Sequence, residues 1–375
     1  MVKSSKIYEL MLKIGAKQDS SLKKACADAD KNLSKLSKSA KAVGKVVAGA
    51  SIAVATTVAT AGVAAVKSGI DYQKQLANVS TLLTGTEAEI SARTAEIGKD
   101  ILKVSNDTGV ETANLTDGMY QVISAFGDSK DAMSILETSA KAAAAGNATT
   151  TDSVNLLSAV MKGYKDVSAE SAQKVADLSF ATVRLGQTSF SELASSIGKV
   201  VPLSSALNVQ QEELYGVFAT LTGVTGSTAE VATQYKAVLS GLMTPSKDMT
   251  ASLKKLGFST ADAAIKSLGF QGTLEALKGT VHGDEQAMAK LFSSTEAQTA
   301  VLAMCGAQSE NLTNKTAEMY TATGAANAAF EKQTNTLDYD IQMIKNLGAN
   351  FLTEIGTKII PYVKDLADAA LPRVQ

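Results

Sequence analysis

Four prolines in 375 residues leave this chain little alternative to long helices. Alanine, serine, threonine and lysine dominate the rest, and apolar residues recur every three or four positions over long stretches. The composition also removes several kinds of chemistry. A single His and two separated cysteines, Cys26 and Cys305, leave no spacing for zinc, di-His metal or His-Cys nucleophile sites. No tryptophan and only 5% aromatic residues give poor material for stacking on bases or sugars. The reading is non-enzymatic, with no catalytic, cofactor-binding or metal-ligating residues expected.

The formal net charge of −1 conceals an asymmetry. Residues 1–45 carry eleven lysines against Glu9, Asp19, Asp28 and Asp30, net +7, which leaves −8 for the remainder. A basic arm of this kind either contacts nucleic acid or anionic lipid, or is the solvated face of a helix. Lys31, Lys35 and Lys38 recur at helical spacing opposite Leu33 and Leu36, in keeping with a surface helix. The polar N-terminus and the late first apolar run do not fit a secretory signal.

From Val46 to Val66 come 21 residues without a charge, bracketed by Lys45 and Lys67. The length suits a bilayer span, but six valines and one isoleucine are its only bulky apolar residues. Gly49, Ala53, Thr56 and Thr60 form a small-residue stripe that would let helices approach closely. A small-residue helix buried in an assembly and a weak transmembrane helix both remain open; insertion would leave the N-terminus in the cytoplasm. The expected architecture is all-α: a basic arm (1–45), an N-terminal apolar helix (46–68), a hairpin or bundle core (69–320), and a long C-terminal helix and tail (321–375).

Within the core, Asn106–Gly109 reads as a turn, Thr112 as a helix cap, Gly146-Asn147 as a left-handed stop, and Thr151-Asp152 as a helix start. Ile123–Phe126 followed by Asp128 recurs 38 residues on as Met161–Tyr164 followed by Asp166. Three Ala-rich helices are expected to end at Gly146, Gly186 and Gly223, a period that suggests stacked helical hairpins. Residues 251–320 continue in helix, punctuated by Gly257, Gly269, Gly272 and Gly279. From Ala325 to Ile360 one uninterrupted helix is expected, broken or bent at Pro361. Its seam of Phe330, Leu337, Ile341, Ile344, Leu347, Phe351, Ile355 and Ile359 implies a partner helix, in cis or in a bundle of chains.

Nothing catalytic stands out. His282 precedes Asp284 and Glu285, an acid–base pairing on paper, but a loop histidine is the plainer reading. TGVTGST at 222–228 has the glycines of a phosphate loop without its lysine, and reads as a helix–helix turn. Glu212-Glu213 falls at a helix start, where it favours the dipole.

The order of these blocks resembles the core region of phage tail tape measure proteins. The resemblance lies in the SNDTGVETANLTDGMYQVISAFGDSKDAMSILETSAKAAAAGNATTTDSVNLLSAVMKGY stretch, in LFSSTEAQTAVLAMCG at 291–306, and in IGTKIIPYVKDLAD at 355–368. The IYELMLKIG start, Lys-rich helix and small-residue segment are also similar to that family. It implies a structural protein of the virion tail lumen, assembled in the bacterial cytoplasm, whose extent fixes tail length and which assists genome delivery. The implied partners are the tail tube protein, tail assembly chaperones and baseplate or tip proteins, with self-association as a helical bundle, host membrane contact through residues 46–66, and no sequence-specific nucleic acid. Family members are commonly longer, so a short ruler, a prophage remnant and one product of a split gene are all compatible. A membrane-active helical effector, pore-forming or toxin-like, is the competing reading, resting on residues 46–66.

Overall fold

The computed structural model describes the backbone of residues 58–370 and the side-chain surroundings of residues 64–361. Among the described residues the structure is helical without strands. The first six helices are α1 (Val58–Ser80), α2 (Glu87–Thr108), α3 (Thr112–Phe126), α4 (Ala132–Ala145), α5 (Thr150–Gly163) and α6 (Ala169–Leu185). Next come α7 (Phe190–Ser196), a 3-10 turn at Ile197–Lys199, α8 (Val201–Ala206), α9 (Gln211–Thr225), α10 (Thr228–Met243) and α11 (Lys247–Lys255). The chain closes with α12 (Ala261–Thr280), α13 (Glu285–Lys290), α14 (Thr295–Cys305), α15 (Ser309–Met319), α16 (Ala325–Thr334) and α17 (Leu337–Ala370).

Short polar side chains start many of these helices. Thr86, Thr149 and Ser189 each accept the backbone N–H three residues on, while Glu89, Asp152 and Glu192 reach back to close reciprocal capping boxes. The cap of α5 is therefore Thr149 rather than Thr151. The cap of α3 is Glu111, whose side chain makes no capping bond, rather than Thr112. Asn106–Thr108 belongs to α2, and Gly109 alone, at φ 66°, stops it. After α4 the left-handed residue is Asn147 (φ 49°), not Gly146.

The helices stack as hairpins in two rows. α4, α6 and α9 pack side by side in one row, with α3, α5 and the α7–α8 turn alongside. α15 and α16 cover the α4–α6–α9 row; α10 packs on α9, with α14 against it. Gly146 and Gly186 terminate α4 and α6 as expected. The third helix runs past Gly223 to Thr225 and stops at Gly226, φ 67°. Gly226-Ser227 is thus the whole helix–helix turn within TGVTGST, since Ser227 already caps α10. The central position of α9 explains its composition. Its residues from Gln211 through Thr222 are all buried, including Tyr215 and Phe218. Phe218, Tyr235 and Phe270 meet edge to face at centroid distances of 6.4 and 5.4 Å, so the few aromatics are spent on packing.

Two expectations concern the ends of the fold. Of the N-terminal apolar helix expected over 46–68, residues 46–57 lie outside the described residues, and the described part belongs to α1, which runs through position 68 to Ser80. Lys67, Asp71 and Lys74 lie along it. No helix among the described residues is long and apolar enough to cross a membrane. The single C-terminal helix from Ala325 is two helices, because Asn335 leaves helical geometry (ψ 55°) and Thr336 caps α17 through its hydroxyl. α17 then passes through Pro361 without ending. Position 361 is exposed, where a carbonyl freed by the missing N–H can turn to water.

Candidate functional site

The residues that offered chemistry do not converge. His282 sits in an exposed turn at φ 55°, between α12 and α13. Asp284 Oδ1 is occupied as the cap of α13, accepting the N–H groups of Gln286 (2.9 Å) and Ala287 (3.0 Å). Glu285 turns to Lys278 at 3.7 Å. Cys305 is buried, and burial pushes its thiol up to about 11, the range of an inert core cysteine. Cys26 lies outside the described residues. No group of three or more His, Cys, Asp or Glu among the described residues could hold a metal. A polar cleft of about 480 Å³ between α1 and α3 is lined by Gln75, Asn78, Asp117, Tyr120 and Gln121, among others. It holds no nucleophile paired with a base.

Two buried carboxylates do a different job, which the sequence did not signal. Asp177, in the middle of α6, accepts the backbone N–H of Gly324 (Oδ2, 2.9 Å) and of Ala326 (Oδ1, 2.9 Å). It thereby caps α16, a helix 147 or more residues away in sequence. Glu213, in the first turn of α9, accepts the N–H of Phe270 at 2.6 Å and of Gln271 at 3.3 Å. Those two residues follow Gly269, whose backbone (φ 76°, ψ 169°) splits α12 in two. Burial raises the Glu213 pKa, against the lowering effect of these backbone bonds. Its neighbour Glu212 is buried too and pairs with Lys174 at 2.8 Å. Both glutamates stand at the positive end of α9, as expected, but in the interior rather than on the surface.

The surface that stands out belongs to α17, which is set into the fold by its polar side. Asn350 Nδ2 donates to Ser105 Oγ (2.7 Å) and Asn106 Oδ1 (2.8 Å), Asn346 donates to the Gly109 carbonyl, and Tyr339 Oη donates to the Thr108 carbonyl at 2.6 Å. The Asn346 and Tyr339 bonds satisfy carbonyls at the end of α2 that no helical partner reaches, and Asn350 engages side chains of its last turn. Further along, α17 crosses α1 at Gly356 and Gly69. A Cβ on Gly69 would stand 2.6 Å from the Gly356 carbonyl carbon, and one on Gly356 would strike the Ala65 carbonyl. Ser68 and Thr353 hydroxyls meet at 2.5 Å beside this crossing. α17 therefore has partner helices in cis, as the sequence reading allowed, but meets them with its polar face rather than along the apolar seam. Asn346, Asn350, Thr353 and Gly356 are buried, whereas Leu337 is 46% exposed, Ile341 is 37% exposed, and Ile344, Phe351, Ile355 and Ile359 are half-buried.

Comparison with known proteins gives this architecture its context. Residues 98–306, from the middle of α2 to the end of α14, match the family described as phage-related minor tail protein. A relative in Clostridium phage phiCD119, described as a probable tape measure protein, is 25% identical over 340 residues. That match takes in 87% of this chain and 35% of the relative, so this chain spans about a third of the relative's length. No solved structure matches.

Proposed function

This chain belongs to the family of phage-related minor tail proteins, and on that premise we propose that it is a tail tape measure protein. Its role is to set tail length during assembly and to assist genome delivery afterwards. The observation that carries this reading is the match along 87% of the chain to a protein described as a probable tape measure protein. The fold is compatible with a structural role: its buried polar groups cap helices and join layers, and its chemical residues are scattered.

In this reading residues 98–306 form a folded body, and reach comes from helix. The 34 residues of α17 extend about 50 Å at 1.5 Å per residue. The partners are the tail tube protein, tail assembly chaperones and baseplate or tip proteins, together with further copies of the chain itself. The domain scheme from the sequence stands as part of the proposal, with residues 1–45 as a basic arm and 69–320 as the core. A gene deletion tests the assignment. The expected outcome is particles without tails of defined length, seen by electron microscopy and restored by the gene supplied in trans. Normal tails in the deletion strain would refute it.

A further inference from the structure

The cleft between α1 and α3 is lined by polar side chains, with no Val, Leu, Ile or Met among them. Its volume of about 480 Å³ is that of a small-molecule site, yet such sites ordinarily have apolar walls. Gln75 and Asn78 share one face of α1, and Asp117, Tyr120 and Gln121 share one face of α3, both sets at helical spacing. Thr151, in the first turn of α5, completes the wall. Asn78 and Asp117 are exposed at the rim, whereas Gln75, Tyr120, Gln121 and Thr151 are half-buried. Two further hydroxyls in the lining, Thr81 and Thr116, are spent on carbonyls of their own segments. The other six side chains make no hydrogen bond or ion pair among the described residues, and Gln75 Oε1 is fully buried without a donor. By contrast, Asn346, Asn350 and Gln298 spend their amides on holding the fold.

We propose that this cleft binds a short neutral oligosaccharide. The donors and acceptors on its walls select that class. The amides of Gln75, Asn78 and Gln121 each present a donor beside an acceptor, the pair that two adjacent sugar hydroxyls complete. Asp117, the single charge in the lining, accepts from a further hydroxyl. The Tyr120 ring offers a flat apolar surface to the C–H face of a sugar ring. Other ligand classes lack what they need. No Lys or Arg lines the cleft, so a phosphate, a carboxylate or a nucleic acid finds no counter-charge. An apolar ligand would gain little buried surface and leave the amides unpaired. An extended peptide could pair with the amides through its backbone, but its side chains need pockets that these walls do not form. One carboxylate among neutral amides is weak provision for a polyamine.

Such binding neither requires the tail role nor follows from it, so the purified full chain tests it directly. The probe is an array of neutral oligosaccharides built from glucose, galactose, mannose and N-acetylglucosamine, followed by isothermal titration of those retained. At least one saccharide should bind. Asp117→Ala and Tyr120→Leu should each weaken it by roughly tenfold. Gln75→Met should weaken it at least as much, yet leave Tm unchanged or raised, because the oxygen it removes has no partner in the fold. Sodium phosphate and spermidine should not compete. Retention of no saccharide overturns the proposal, as does an affinity that survives all three substitutions. A lowered Tm for Gln75→Met would show that this amide serves the fold and would overturn its assignment to a ligand. Binding of spermidine or a polar peptide in place of any saccharide, lost in the same variants, would overturn the ligand class.

Discussion

Asp177→Ala probes the joint between the two ends of the chain. The carboxylate accepts two backbone N–H bonds at 2.9 Å, from Gly324 and Ala326, and a third bond from Gln173 Nε2 at 3.0 Å. Alanine removes both acceptor oxygens, and with them all three bonds, at once. A buried donor left without a partner costs about 1–3 kcal/mol. The Ala326 bond is buried and takes the upper part of that range; the Gly324 bond is half-buried, so water recovers some of the loss. Removing a buried charge offsets a further part. The net expectation is a loss of about 2–4 kcal/mol, concentrated in α16, whose Ala326 is its one fully buried side chain. Asp177→Asn keeps one acceptor and should lose about half as much. Urea denaturation gives the magnitude, and hydrogen exchange locates it: α16 amides should lose protection before those of α4 and α9. A change below about 0.5 kcal/mol, or loss of protection spread evenly over α4, α9 and α16, would refute the capping argument.

Three further perturbations follow from the same geometry. Because burial raises the Glu213 pKa in the folded state, this group's contribution to stability falls as pH rises from its unfolded value toward the folded one. Glu213→Gln should remove that slope from the pH dependence of the urea midpoint, and Glu213→Ala should cost about 1–3 kcal/mol by orphaning the Phe270 N–H. Gly356→Ala gains about 1 kcal/mol of helix propensity but drives a methyl into the Ala65 carbonyl. Overpacking at about 1–3 kcal/mol should win, lowering Tm and loosening α1 and α17 in hydrogen exchange; a raised Tm would show that the crossing is not tight. His282→Gly should stabilise by up to about 1 kcal/mol, since φ 55° suits glycine, and should leave particle assembly unchanged.

Helix periodicity, turn glycines and capping residues are local signals, and they were legible in the sequence. The all-helical class, the stops at Gly146 and Gly186 and the turn in TGVTGST all came from them. The Gly223 stop failed because a glycine inside a buried helix such as α9 looks the same in sequence as one that ends a helix. The break at Asn335 was hidden by apolar spacing that runs smoothly from Phe330 into α17. Long-range polar bonds left no local trace. Asp177 and Glu213 sit at ordinary helical positions, and only the fold brings α16 and the Gly269 kink to them. The seam at 337–355 was visible, but its direction was not. Periodicity says which residues share a face, while Gly69, Gly356 and the α2 carbonyls decide which face turns inward.

The central claim, that this chain contributes to tail length as a ruler, is tested most directly by changing its extent. A helical segment of about 35 residues inserted after Ala370 adds about 52 Å at 1.5 Å per residue. It lies beyond the α1 crossing and leaves the folded body intact. Tails measured by electron microscopy should lengthen by about that amount. Tails of unchanged length, assembled from particles that carry the lengthened chain, would contradict the account.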